Sequence, residues 1–523
     1  MNENTPLITA GNKKKTPSSW YAIFPMFLVA FSGGALIAPH VQFYTEIFCT
    51  IYYKTHHNAD DNLIPFKDCA IPPVQKMVSK AQAAIMFLTY ASTLLGAGFY
   101  GRLSDRKGRS LIVRISTIGS LLYVSCDLLT AKYHDTIGIA LLFVGPLIRG
   151  IMAGEGVLMA AVQAYIADCT SADARTVIFA RLMASLFIGS AVGPFVSSQI
   201  LKHTGSLVNV FYVAFIVDII NVLYTVFIMP ESSQFINQPA AAQQESDTHK
   251  RPLGLCSHIN IFSALKILFK DRPAHLTRYA LPCIALADFL LALVKRPPIL
   301  LYAMLKFKWT AYEGSLYYTC TSLMKLMMMI GILPLLSKLF KRKCPKAQAP
   351  TAADQEKIVN SSTLFDIWMV RIGIGMDAVC LALAGLASNV VLFTTAGMLQ
   401  SVSMLAQPSI RGLLTTCVKP NQLGELLGAV AILDSIAMMI AHLGINFIYY
   451  SSVLTMPNLT FFVCAFIAGC SCLAAFMVRQ RTTRIDDTLE EGSLIIDADR
   501  DSAESSSSTL ACPATQHLVK ARE

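Results

Sequence analysis

The sequence predicts an all-α polytopic membrane protein, twelve transmembrane helices arranged as two six-helix bundles. Three observations lead there. Of 523 residues, 54% are hydrophobic and only 15% are charged, against about a quarter charged in an ordinary soluble domain. Apolar runs of about 20 residues recur along the whole chain, each long enough to cross a hydrocarbon layer of roughly 30 Å as a helix. A polar stretch at 230–276 divides those runs into two equal sets. A large helical core in water would not repeat runs of that length so often.

The spans fall near 20–43, 80–100, 111–130, 138–165, 177–200, 207–229, 277–303, 314–338, 365–386, 390–411, 424–450 and 458–478. The first follows a polar start with Lys13, Lys14 and Lys15 and is full length, so it reads as a signal anchor and not as a cleaved leader. Span 7 is interrupted by Lys295-Arg296-Pro297-Pro298. Proline removes a backbone donor, so this span is expected to break near its outer end. Residues 1–19 form an N-terminal tail, 20–229 the first bundle, 230–276 a polar linker, 277–478 the second bundle, and 479–523 a tail with Ser505-Ser506-Ser507-Ser508 that is expected to be disordered. Six spans, a linker and six more spans are the layout of a transporter built from two related halves. Traces of duplication agree with it. Arg114-Ile115-Ser116-Thr117-Ile118-Gly119 opens span 3, and Arg371-Ile372-Gly373-Ile374-Gly375 lies at the equivalent place in span 9. Cys169-Thr170 follows span 4 as Thr416-Cys417 follows span 10.

Orientation follows from the basic residues. With both ends in the cytoplasm, the cytoplasmic segments hold about 30 of them and the outer loops about 10, the bias of the positive-inside rule. Arg149, Lys325 and Arg371 lie within spans. The net charge of +10 is therefore a topology signal and gives no reason to invoke nucleic acid. Most of the 14 cysteines are scattered through spans, where a thiol acts as a small hydrophobe. Cys49 and Cys69 both fall in the first outer loop, a compartment that permits a disulfide. A bridge would contribute roughly 3 kcal/mol; two free thiols are the alternative.

The most informative segment is Gly101-Arg102-Leu103-Ser104-Asp105-Arg106-Lys107-Gly108-Arg109-Ser110, read as a short loop between spans 2 and 3. It closely resembles the cytoplasmic loop 2–3 signature of the major facilitator superfamily. The resemblance continues through Arg149, Gly150, Ala153, Gly154 and Gly156 in span 4, where related proton-driven members place an intramembrane arginine near the coupling site. Ala153 stands where a glycine is usual. Ala164-Tyr165-Ile166-Ala167-Asp168-Cys169-Thr170 with Arg175 is similar to loop 4–5 of tetracycline-resistance-type members. Gly189-Ser190-Ala191-Val192-Gly193-Pro194 resembles the motif of drug:proton antiporters, and Pro230-Glu231-Ser232 is a further recurrent feature. The second half carries less of the pattern.

The resemblance implies the major facilitator fold and transport by alternating access, with drug:proton antiport as the closest type. The alternatives are proton symport like that of the folate-type carriers, a membrane receptor for a nutrient, and a membrane enzyme. In the gating reading, Gly101 and Gly108 allow close approach, Asp105 sits near a helix N-terminus of the opposite bundle, and Arg106 and Arg109 pair with Asp168 or another acid. Gly189, Gly193 and Pro194 either pack the bundles together at the outer gate or serve ordinary small-residue packing.

Charges inside spans are costly and usually functional. They are Asp127, Arg149, Glu155, Asp218, Asp288, Lys325, Arg371, Asp377 and Asp434, with His442 added. Glu155, Asp288 and Asp434 are the candidates for carrying a proton, with static ion pairs as the alternative. Lys325 and Arg371 are candidates for binding an anionic substrate or neutralising these acids. Six positions on a continuous helix turn through about 240°, so Arg149 and Glu155 are expected to face apart. Phe43, Tyr44 and Met327-Met328-Met329 could line an apolar pocket or pack against lipid.

There is no phosphate-cradling glycine loop and no dense His/Cys cluster, so neither ATP hydrolysis, a cofactor nor a metal is expected. The expected partners are a small-molecule substrate, protons and the bilayer, with the chain a monomer. Leu7 and Ile8, and again Leu494 and Ile495, end patterns similar to acidic dileucine signals read by sorting adaptors. They point to a vacuolar, lysosomal or endosomal membrane; the plasma membrane is the other location.

Overall fold

The computed structural model describes residues 17–57, 66–137, 139–170, 172–232, 277, 279–295, 297–341, 352–417 and 423–479. Leu7, Ile8, Leu494, Ile495 and the side chain of Arg175 lie outside the described residues, as does nearly all of the polar linker. All regular structure described is helical. Eleven helical units are long and apolar enough to cross a membrane, and a twelfth, span 7, is present in two pieces.

The helices outrun the apolar segments that mark them. Span 1 runs Trp20–His57 and span 2 runs Pro72–Lys107. Hydropathy marks only the stretch that must meet lipid, whereas a helix continues for as long as its backbone bonds are satisfied. The 101–110 segment is accordingly not a loop. It is helical through Lys107, turns at Gly108, and is helical again from Arg109, where span 3 (Arg109–Ile137) begins.

Spans 4, 7 and 10 are all broken. Span 4 consists of Ala140–Ile151 and Glu155–Asp168, separated by three residues of which Ala153 has φ 57°. Span 7 consists of Ala280–Val294 and Ile299–Phe307, parted at the Pro297-Pro298 pair. Span 10 passes from Val390–Leu399 through a 3₁₀ segment, Gln400–Leu405, into Ala406–Thr416. Irregular backbone at membrane depth is tolerated only where protein buries it or a polar space receives it. Span 8 opens on a capping box between Thr310 and Glu313. It winds regularly over Ala311–Met327, loosens into a π-helical turn at Met328–Ile332, and ends with Leu333–Lys341.

Within the first half, span 1 crosses span 5 (Ala172–Thr204) at close range. A Cβ on Gly189 would lie 2.6 Å from the Phe27 carbonyl oxygen and 2.9 Å from the Ala30 Cβ, and one on Gly193 would collide with the Phe31 carbonyl. The Pro194 ring fills the space beside Gly34. These residues therefore pack span 5 onto its own bundle and not onto the opposite one, because the glycine face of span 5 is turned inward. Phe43 and Tyr44 are buried and join the same core, with Phe43 packed on Phe211 of span 6 (Leu207–Phe227).

The halves meet through spans 2 and 11 (Leu423–Ser452), 5 and 8, and 1 and 8. Hydrogen bonds between them cluster at one end. Lys308 Nζ donates to the Ala70 carbonyl at 3.0 Å, Ser79 Oγ to the Asn446 carbonyl at 2.9 Å, and Ala311 N to Gln42 Oε1 at 2.5 Å. The Ser197 and Ser315 hydroxyls lie 3.4 Å apart. Cys49 and Cys69 are joined at this end, with S–S 2.05 Å and Cα–Cα 5.4 Å. Towards the other end, among the described residues, Glu155–Asp168 of span 4 makes no substantial contact with the second half, and neither does span 8 beyond its π turn with the first. Among the described residues, the halves are hydrogen-bonded to each other at the disulfide end and not at the end bearing Gly108.

If the span 1–span 5 crossing is as tight as these distances require, Gly193→Ala costs about 1–3 kcal/mol and lowers the unfolding temperature in detergent. Gly156→Ala, where nothing lies within 4 Å of the added Cβ, leaves that temperature unchanged or raises it. Equal effects of the two substitutions would contradict the packing.

Candidate functional site

Gly108 adopts φ 111°, a backbone region that side chains disfavour, and a Cβ there would strike the Glu231 carboxylate. That carboxylate caps span 3. Its Oε1 accepts from Arg109 N at 2.8 Å, and its Oε2 accepts from Ser110 N at 3.1 Å and Ser110 Oγ at 2.6 Å. Helix N-termini present free N–H groups and favour negative charge. Nearby, Arg109 pairs with Asp105 and lies 3.5 Å from Asp168, whose Oδ2 accepts from Ser232 Oγ at 3.2 Å. Tyr165 donates to the Pro230 carbonyl at 3.0 Å. Three segments singled out in the sequence thus converge on one corner of the first bundle.

Three expectations change here. Asp105 pairs within its own bundle and makes no polar contact with the second half among the described residues, because the turn at Gly108 brings Arg109 back onto it. Arg106 is exposed and joins no ion pair among the described residues. Gly101 is also exposed, with nothing within 4 Å of a would-be Cβ.

Arg114 and Arg371 do one job in the two halves. Arg114 donates from Nε to the Thr225 carbonyl at 3.0 Å and from Nη2 to Met229 at 3.1 Å, closing the end of span 6. Arg371 donates from Nη2 to Val478 at 2.7 Å and from Nε to Ala475 at 3.4 Å, closing the end of span 12 (Leu459–Met477). Arg371 is thus committed to backbone carbonyls left over at a helix end, which removes it from the substrate candidates.

Deeper in the first half, Arg149 Nη2 lies 2.7 Å from Glu155 Oε1. The expectation that they face apart assumed an unbroken helix. The break at 152–154 resets the winding and lets Glu155, in the first turn of the second piece, return to Arg149. Glycines 150 and 154 face Ser92 and Thr93 with no room for a Cβ, so span 2 presses against the break. The Arg149 guanidinium also sits 5.3 Å above the Tyr123 ring. His40 Nε2 is 2.9 Å from Asp127 Oδ2. His40 was not among the sequence candidates, since its partner is 87 residues away and nothing local signals it.

The second half carries its own cluster. Arg411 Nη2 lies 2.8 Å from Asp434 Oδ2, Gln400 Nε2 donates to Asp377 Oδ1 at 2.7 Å, and Lys295 Nζ approaches Gln407 Oε1 at 3.5 Å. Lys325 and Lys295 lie within electrostatic reach of Asp377. Asp288 is 3% exposed, and its buried Oδ2 has no hydrogen-bond partner among the described residues. Arg411 and Gln407 were missed because they fall at the end of a span whose break composition does not announce. Each broken span brings charged or amide side chains to its break: Arg149 and Glu155 in span 4, Lys295 in span 7, and Gln400, Gln407 and Arg411 in span 10.

Comparison with known proteins places this arrangement. The Major Facilitator Superfamily matches residues 23–352. An MFS-type transporter of Aspergillus versicolor, avaJ, is 24% identical over 90% of this chain and 90% of its own length. The proton-coupled folate transporter of Bos taurus is 24% identical over 72% of each chain. Among solved structures, the inward-open xylose transporter XylE of E. coli superposes with a TM-score of 0.57 at 12% identity, over 90% of this chain and 98% of that one.

The corner around Gly108 predicts an unequal response to two carboxylate substitutions. Glu231→Gln, which weakens the cap on span 3, is expected to cost about 0.5–2 kcal/mol. Asp105→Asn, in a carboxylate 65% exposed, is expected to cost less than about 1 kcal/mol. Thermal unfolding in detergent compares them, and a larger loss from Asp105→Asn would refute the assignment.

Proposed function

Because this chain belongs to the Major Facilitator Superfamily, and so is a membrane transporter and not an enzyme, we propose that it moves a small organic solute by proton-coupled antiport. The observation that carries this reading is the Arg149–Glu155 pair. Glu155 is 52% exposed although it lies at the break of a span. A carboxylate there can take a proton, release the arginine, and be restored when the proton leaves. A solute that binds the same carboxylate would then compete with the proton for it, which is the minimum that antiport requires. The end bearing Gly108, rich in lysine and arginine, is assigned to the cytoplasm, so the closed disulfide end is the outer one.

Asp288, Asp434 and Lys325 are the corresponding candidates in the second half, with Asp434 held by Arg411. Asp105, Arg109, Asp168 and Glu231 are proposed to steady the cytoplasmic corner as the halves rock. A second reading, symport of an organic anion, is supported by likeness to the proton-coupled folate transporter and by the exposed cations Lys295 and Arg411.

Reconstitution in liposomes under an imposed pH gradient, with a screen of organic solutes, tests the proposal. Solute moving against the proton flux supports antiport, and solute moving with it supports the second reading. Glu155→Gln is expected to lower gradient-driven transport at least tenfold while sparing solute exchange at equal pH. Full gradient-driven transport by Glu155→Gln would remove Glu155 from the mechanism.

A further inference from the structure

We propose that His40 and Asp127 form a second proton site, serving the disulfide-end half of the cycle, and that proton uptake there closes span 1 onto span 8. The inference rests on the proton-coupled reading and adds to it a site and a mechanical consequence.

Asp127 is a carboxylate 1% exposed, and its partner His40 keeps 14% of its side chain accessible. The imidazole lies among three rings: Tyr44 at 5.8 Å, Tyr123 at 5.6 Å and Phe211 at 5.2 Å. A carboxylate shut away from water is costly unless a partner meets it. Arginine or lysine would meet it permanently. Histidine is the one side chain whose charge comes and goes near neutral pH, so this pair holds one exchangeable proton. With it, imidazolium faces carboxylate, or neutral imidazole faces carboxylic acid, at the same proton count. Without it, a carboxylate faces a neutral ring and the attraction between spans 1 and 3 weakens.

The placement of His40 turns that change into movement. Successive even positions on a helix alternate sides, about 200° per step. Ala38 and Gln42 therefore share one face of span 1, and His40 and Tyr44 share another. Ala38 and Gln42 are where span 1 meets the second half: the Ala38 Cβ lies 3.1 Å from the Cβ position of Gly314, and Gln42 Oε1 accepts from Ala311 N. The pair is formed in this structure and the disulfide end is closed, so a formed pair and a closed end go together, and the proton that strengthens the pair is assigned to the closed end. Opening that end unseats span 1, and the proton exchanges through the accessible edge of His40.

The titratable and charged neighbours are few. Span 1 contributes Tyr44 and also Glu46, which accepts from Gln42 Nε2 at 2.8 Å. Span 3 contributes Tyr123, its hydroxyl 3.5 Å from that of Tyr44. Span 4 contributes Arg149, held by Glu155. Span 6 presents Phe211 here, with Asp218 two turns further along.

The test reads the gate without any solute. In liposomes, Ser197→Cys is labelled from the disulfide side with a membrane-impermeant maleimide. Its rate is taken relative to a reference cysteine at the exposed position His56, and labelling of the chain without either substitution is subtracted. In the otherwise native protein, relative labelling is expected to fall at least threefold as the pH on that side drops from 8 to about 5.5. With His40→Gln, or with Asp127→Asn, which keeps an acceptor towards His40, the pH dependence is expected to vanish. Unchanged pH dependence in both variants, or none in the otherwise native protein, overturns the inference. Transport insensitive to a pH gradient, with this labelling response intact, would instead remove the proton-coupled reading and leave the gate assignment standing.

Discussion

An ionised or hydrogen-bonding group inside the hydrocarbon layer must find its partner within the protein, since lipid offers none. Every departure from a plain bundle of apolar helices here is shaped by that constraint. Where span 4 unwinds, the arginine before the break and the glutamate after it neutralise each other. Where span 10 loosens, Gln400 is taken up by Asp377 and Arg411 by Asp434. Such pairs add little to stability, because the attraction gained is offset by the hydration lost. What they provide is a set of charges that can be re-paired at modest cost, which a rigid apolar interior lacks.

The same constraint accounts for an arginine at 114 and another at 371. A membrane helix that ends leaves four carbonyls without intrahelical donors, and a guanidinium offers several donors in a fixed fork. Each half spends one arginine on the end of its last span. The halves differ more at the breaks, where the first uses an arginine–glutamate pair and the second a wider group of lysines, amides and acids.

The architecture was legible in the chain because hydropathy and charge bias are properties of long stretches, which average over local exceptions. The proline-marked break of span 7 was legible for a local reason, since Pro297 and Pro298 forbid regular winding. The break of span 4 was not, because Met152-Ala153-Gly154 carries no such prohibition. Without the break, rotation along an ideal helix set Arg149 and Glu155 on different faces. His40 with Asp127, and Arg411 with Asp434, could be joined only by knowing which helices are neighbours. For Gly189 and Gly193 the sequence showed that something must come close, and only the packed structure shows that it is the backbone of span 1.

The π turn at Met328–Ile332 sits where span 8 leaves the first half behind. A wider turn accommodates one surplus residue, and such insertions concentrate at functional sites. Everything after it is rotated by about 100° relative to an uninterrupted α-helix. Leu335 and Leu339, both exposed, owe their bearing to that surplus. Shortening the chain by one residue within the turn would let the helix rewind with both leucines on the same side of span 8, whereas drawing the present residues into regular α winding would swing them by about 100°, so the outline of that end is set as much by residue count as by residue type.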